Sequence, residues 1–244
     1  MKIYMMEQGS DAWRQVRLGR PTSSNAHRIV TKAKCDLSAQ AADYGLRLVA
    51  ERLLNASSES SIESPWMERG RALEPLAARQ YDFTQEVETI PVGFITTDDG
   101  RIGCSPDRLV VSDRRIAVEI KCTSPHVHLG YLLNGLGDAY RPQVQMQIMV
   151  AELERADLYA FHDQCPPVLI QTAPDKDYIS KLSAALYQFC DTLDHMHQRA
   201  LSLGAFQPAA RRGASQTELC EIANINDEFR RENERRFVKE GFTI

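Results

Sequence analysis

The segment Arg115-Ile116-Ala117-Val118-Glu119-Ile120-Lys121-Cys122 constrains the fold more than any other stretch of the chain. Its alternating pattern predicts a strand with Ile116, Val118 and Ile120 on one face, so that Glu119 and Lys121 share the other. Just upstream, Arg108-Leu109-Val110-Val111 reads as a second short strand, and Ser112-Asp113-Arg114 carries the turn residues that fold the two into a hairpin. A loop with an odd number of residues then sets Asp107 opposite Glu119 on one face of the sheet.

Two carboxylates and a lysine gathered this way suit the hydrolysis of a phosphodiester. That reaction must stabilise negative charge on the attacking water, the bridging phosphate and the leaving oxygen, and one or two Mg²⁺ ions held by hard oxygen ligands can do so. A lysine on the same face orients or deprotonates the attacking water, or offsets charge in the transition state. A Glu-x-Lys pair alone is common on solvated strand faces, so the rest of the chain decides how far this reading goes.

Four further segments bear on it. They are Gln8-Gly9-Ser10-Asp11-Ala12-Trp13-Arg14-Gln15-Val16-Arg17-Leu18-Gly19 with Thr22-Ser23-Ser24, then Trp66-Met67-Glu68-Arg69-Gly70-Arg71-Ala72-Leu73-Glu74, Gly103-Cys104-Ser105-Pro106-Asp107, and Tyr140-Arg141-Pro142-Gln143-Val144-Gln145. In this order, and with Glu119-Ile120-Lys121-Cys122, they resemble the motifs of the lambda exonuclease family, also called YqaJ-like viral recombinases. The resemblance runs from residue 8 to about residue 150 and implies a PD-(D/E)xK nuclease core, a mixed central β-sheet flanked by helices.

Carried onto this chain, the resemblance implies metal ligands at Glu74, Asp107, Glu119 and the Ile120 main-chain carbonyl, with Lys121 as the catalytic lysine and Gln143 beside the site. The cofactor it implies is Mg²⁺, for which Mn²⁺ can substitute. It further implies that Arg17, Ser24 and Ser105, with Trp13 nearby, hold a terminal 5′ phosphate, that Met67 wedges apart terminal base pairs, and that Trp66 stacks on a base. Guanidinium and hydroxyl donors beside a helix start are suited to an anion. One position departs from the pattern: Val127 stands where the family carries a phosphate-binding arginine, and His126 and His128 on either side are the available substitutes.

The implied activity is 5′-to-3′ digestion of one strand of linear double-stranded DNA to mononucleotides, leaving a 3′ overhang for recombination. A homotrimeric ring around the duplex, a single-strand annealing protein as partner and a phage or prophage origin follow by the same route. Two other readings use the same residues: a structure-selective or restriction-like endonuclease, and a non-catalytic scaffold that binds DNA ends.

Composition is consistent with a globular enzyme of 244 residues, 43% hydrophobic and 25% charged. The six cysteines at 35, 104, 122, 165, 190 and 220 form no C-x-x-C pair, which argues against a zinc or iron–sulfur centre and against a disulfide framework. No apolar run approaches the ~20 residues of a membrane span and no signal peptide opens the chain, so the expected location is cytoplasmic, without a membrane. A net charge of −4 disfavours uniform DNA affinity, yet Arg14, Arg17, Arg20, Arg28, Lys32 and Lys34 crowd the first 34 residues against only Glu7 and Asp11.

Pattern predicts helices near 10–17, 23–31, 38–54, 65–81, 126–134, 140–153 and 177–200, and strands near 86–97, 107–111, 116–121, 156–162 and 167–172. Ser64 before Pro65 marks the start of the helix that must carry Glu74 toward the sheet. The core is expected over residues 1–203. A linker near 204–213 precedes an appended helix opened by the capping box Ser215-Gln216-Thr217-Glu218.

Overall fold

The computed structural model describes residues 1–57 and 65–206. The chain opens with strand β1 (Lys2–Tyr4) and helix α1 (Asp11–Arg17), which Ser10 caps by accepting the Trp13 N–H. A 3-10 turn over Ser23–Asn25 leads into α2 (Ala26–Ile29), then α3 (Ala41–Leu54) and α4 (Pro65–Gln85). Five short strands follow: β2 (Thr89–Pro91), β3 (Phe94–Thr96), β4 (Gly103–Cys104), β5 (Arg108–Val110) and β6 (Ile116–Cys122). Helices α5 (Pro125–Asn134) and α6 (Arg141–Val150) cross to β7 (Arg155–Phe161), and β8 (Val168–Thr172) precedes α7 (Lys176–Ser202). Residues Met1–His197 form one compact unit.

The main sheet has the order β2-β5-β6-β7-β8, antiparallel except for the parallel β6–β7 pair. That one parallel step is why two helices intervene between β6 and β7, since parallel neighbours need a crossover. α4 covers one face, where Ala77, Ala78 and Tyr81 meet Val110, Val118, Ile120, Tyr159 and Phe161. This is the face assigned to Ile116, Val118 and Ile120 by alternation. α6 serves the opposite face and buries Val144, Met146, Ile148 and Val150. On α7 the residues Leu182, Leu186, Phe189 and Leu193 are buried at spacings of three and four, and the Phe189 ring stacks on Tyr44 of α3 at 5.9 Å.

A second sheet, β1-β3-β4, was not anticipated, because strands of two or three residues have no readable periodicity. The expected strand over 86–97 is in fact two, β2 in the main sheet and β3 in the small one. Pro91-Val92-Gly93 makes the switch, and a Cβ on Gly93 would lie 2.4 Å from the Tyr4 carbonyl oxygen and 2.6 Å from that of Met6. Backbone cannot yield as a side chain can, so Gly93→Ala is expected to destabilise the chain by about 1–3 kcal/mol in a denaturant melt. The expected helix over 23–31 is shortened to the 3-10 turn and α2, and α6 stops at Val150 instead of 153. The capping box at 215–218 lies outside the described residues. Among the described residues no helix is long and apolar enough to cross a membrane.

Candidate active site

The β5–β6 hairpin pairs Arg108 with Val118 and Leu109 with Ala117, so its register continues outward to Asp107 opposite Glu119. The loop of residues 111–115 is odd in number, as this placement needs. Asp107 Oδ2 accepts the Ile120 N–H at 2.6 Å, which fixes the carboxylate against the strand bearing its partner.

Glu119 is 3% exposed, and a buried carboxylate must be compensated. Lys121 Nζ and Gln143 Nε2 both donate to Oε1 at 2.5 Å, and Gln147 Nε2 donates to Oε2 at 2.5 Å. Gln143 and Gln147 stand one turn apart on α6, so they reach the same strand residue. Burial penalises the Lys121 ammonium, but Glu119 and Asp107 more than offset this and hold its pKa above the ordinary lysine value. Its Nζ also lies 5.3 Å from the centroid of the Tyr140 ring. The Asp107 pKa also rises: burial and the nearby Glu119 carboxylate push it well above the usual carboxylate range, against the pull of Lys121.

Glu74 approaches from α4. Gly70, one turn earlier, makes this approach close, since a Cβ there would meet the Cys122 carbonyl oxygen at 3.3 Å. Burial and then the Glu119 charge raise the Glu74 pKa, while Arg108, Lys121 and Arg71 lower it. The Glu119 charge thus raises the pKa of both Glu74 and Asp107, which marks a region where a cation would be welcome. Hard carboxylate oxygens, without thiolates or imidazoles among them, match Mg²⁺ better than zinc. As the side chains stand, no three His, Cys, Asp or Glu groups among the described residues are close enough together to grip an ion.

A second cluster adjoins. Ser105 Oγ accepts Trp13 Nε1–H at 3.0 Å and Arg17 Nη1–H at 3.5 Å, and the Arg17 guanidinium lies 3.8 Å from the Trp13 ring centroid. Cys104 links the two clusters: it is fully buried, and burial and Glu119 raise its thiol pKa while Arg17 lowers it. Cys122 at the end of β6 is pushed up to about 12 by burial and then by Glu74 and Asp107. Ser24 is exposed on the 3-10 turn and shares a hydrogen bond with Thr22 Oγ1 at 3.3 Å, Thr22 itself being bridged to Gly103 of β4. Of the basic residues in the first 34, Arg20 donates to the Gly100 and Val16 carbonyls and Arg14 pairs with Asp11, so these two are partly committed to the fold.

The profile of the YqaJ-like viral recombinase domain matches residues 12–154, more than half of the chain and inclusive of every residue in both clusters. The chain belongs to this family. Among solved structures, the fold is similar to that of an alkaline exonuclease from Laribacter hongkongensis, with a TM-score of 0.65 and 24% identity over 80% of this chain and 100% of that one. The same exonuclease in complex with dAMP gives 0.66 and 25% over the same shares. A phage-related exonuclease from Haemophilus somnus 129PT gives 0.58 and 16%, covering 74% of this chain and 96% of that one. No curated protein matches the sequence.

Other positions expected from this viral recombinase family are less uniform. Trp66 is 53% exposed at the start of α4 with the Arg69 guanidinium 5.9 Å from its ring, whereas the side chain of Met67 lies outside the described residues. His126 is exposed and contacts Ser124 Oγ at 3.3 Å through Nδ1. His128 is not the phosphate-facing substitute that was expected: it is fully buried on α5, and its Nε2 donates to the Pro166 carbonyl at 2.8 Å. Helical spacing explains the difference, since residues 126 and 128 of a helix point in different directions. Gln147 was not among the expected site residues, yet it donates to Glu119 beside Gln143. Its four-residue spacing from Gln143, on a helix facing the charged side of β6, was the available signal.

Proposed function

We propose that this chain is a Mg²⁺-dependent exonuclease that degrades one strand of linear double-stranded DNA from 5′ to 3′, releasing mononucleotides. The observation that carries the reading is the buried Glu119 carboxylate, set opposite Asp107 and gripped by Lys121, Gln143 and Gln147. A scaffold protein has no physical need for such a concentration of charge, which costs stability and is kept where function requires it.

A divalent cation held by Asp107, Glu119, Glu74 and the Ile120 carbonyl would supply Lewis acidity at the scissile phosphate. Lys121, kept in its ammonium form, donates toward developing negative charge and orients the attacking water. Arg17 and Ser105, preset by the Trp13 ring, bind the terminal 5′ phosphate and so choose which bond reaches the carboxylates. The related Laribacter exonuclease has been crystallised with dAMP, a nucleoside monophosphate, which supports a mononucleotide product. The same reading includes a 3′ overhang used in recombination, a single-strand annealing protein as partner, a trimeric ring of copies around the duplex, and a phage-encoded protein acting in the host cytoplasm.

The test is digestion of a linear duplex labelled separately at its 5′ and 3′ ends, with a covalently closed circle alongside. Early release of the 5′ label as mononucleotide with an intact circle supports the reading. Cutting of the circle would replace it with the endonuclease, and no Mg²⁺-dependent cleavage of any substrate with the scaffold. Arg17→Ala is expected to reduce the preference for 5′-phosphorylated over dephosphorylated ends by about tenfold or more, the worth of a charge-assisted hydrogen bond. Initial rates on the two duplexes measure this directly.

A further inference from the structure

α6 carries three glutamines at alternate positions, and their surroundings differ. Gln145 is satisfied on both sides, donating to the Ala173 carbonyl at 3.0 Å and accepting the Asp175 N–H at 3.0 Å, which ties α6 to the chain after β8. Gln143 shares Glu119 Oε1 with Lys121. Gln147 is fully buried and alone among these donors addresses Glu119 Oε2. An ionised carboxylate only accepts, so the Gln147 amide must turn its NH₂ toward Glu119. Its Oε1 then faces the other way, buried and without a hydrogen-bond partner among the described residues. An orphaned buried carbonyl is unfavourable, and a residue chosen for packing alone would not keep one.

We propose that Gln147 is a positioning residue: by holding Oε2 while Lys121 and Gln143 hold Oε1, it fixes the plane of the Glu119 carboxylate for a divalent cation. The inference rests on reading the site as cation-dependent. Gln143 is the more redundant of the two amides, because its loss leaves Lys121 on the same oxygen. Loss of Gln147 leaves Oε2 without its amide and frees the terminal torsion of Glu119, whose oxygens would then meet the cation in many orientations instead of one.

The test compares Gln147→Met, Gln147→Asn and Gln143→Met with the parent chain. Methionine matches glutamine in length and removes the orphaned carbonyl, so Gln147→Met is expected to keep or raise the melting temperature. The asparagine side chain is one methylene too short to reach Glu119, and it carries the test if the methionine variant misfolds. Mn²⁺ affinity, read by electron paramagnetic resonance of the free ion without DNA, should weaken by about 10- to 100-fold in both Gln147 variants and less in Gln143→Met. Single-turnover digestion at saturating Mg²⁺ should slow in the same order. Unchanged Mn²⁺ affinity in a folded Gln147 variant would overturn the proposal, as would a parent chain that binds no Mn²⁺. A parent chain whose Mn²⁺ affinity depends on Gln147 but which digests no DNA would leave the positioning role standing and remove the exonuclease reading instead.

Discussion

Replacing Lys121 by alanine is expected to lower the single-turnover rate of Mg²⁺-dependent duplex digestion by about 10²- to 10³-fold, the range for a lost donor to developing negative charge. Lys121 follows Glu119 by two residues on β6, so the strand itself sets their common face. The side chain is 24% exposed while that of Glu119 is 4% exposed, which places the ammonium at the mouth of the site, between solvent and the buried carboxylate. Truncation removes both the donor for the reacting groups and the cation that compensates Glu119. The two glutamine amides still satisfy that carboxylate, so the fold is expected to survive with a modest loss in melting temperature. Lys121→Met separates loss of the ammonium from loss of side-chain bulk, since it keeps the aliphatic stem and loses the charge. A folded variant of either kind that digests DNA at the parent rate would remove Lys121 from the mechanism.

Asp107→Asn should change activity and stability in opposite directions. Cleavage is expected to fall by about a thousandfold or more, because a neutral amide is a poor substitute for a carboxylate toward a hard cation. Stability without added metal should rise by about 1 kcal/mol, in line with relief of a strained functional site. The physical cause is the burial and like-charge repulsion that already push the Asp107 carboxyl far above its ordinary pKa. The asparagine carbonyl can still accept the Ile120 N–H, so the hairpin keeps its anchor. Thermal melts in EDTA alongside digestion assays check both halves. A variant less stable than the parent would mean that the acidic pair is held together at no cost, and one that still cleaves would clear Asp107 of any role in binding metal.

Much of this site was legible because strand alternation is a strict geometrical rule. Ile116, Val118 and Ile120 had to face away from Glu119 and Lys121, and Asp107 would come across if the loop were odd, as its pairing makes it. The start of α4 at Pro65 was equally plain from Ser64-Pro65. What escaped notice depended on contacts distant in sequence. β1 and β4 exist only because they pair with β3, and nothing local announces a two-residue strand. The break between β2 and β3 lies at Pro91 and Gly93, but only the proximity of the Tyr4 and Met6 carbonyls reveals why a glycine is needed. His128 was misjudged because Val127 drew attention to position along the chain, when the direction of each side chain around α5 decides what it touches. Gln147 was hidden for a related reason: a glutamine on a helix reads as surface until the strand beneath it proves to hold a buried charge.

The two thiols beside the carboxylates have a consequence for the conditions the protein can tolerate. Cys104 and Cys122 are both held in the protonated form, chiefly by burial and further by the neighbouring negative charges. Oxidation, alkylation and capture of soft metals all proceed through the thiolate. Sulfur beside the carboxylates is thereby disfavoured as a thiolate, and slow alkylation of both thiols by a thiolate-selective reagent is the expected result.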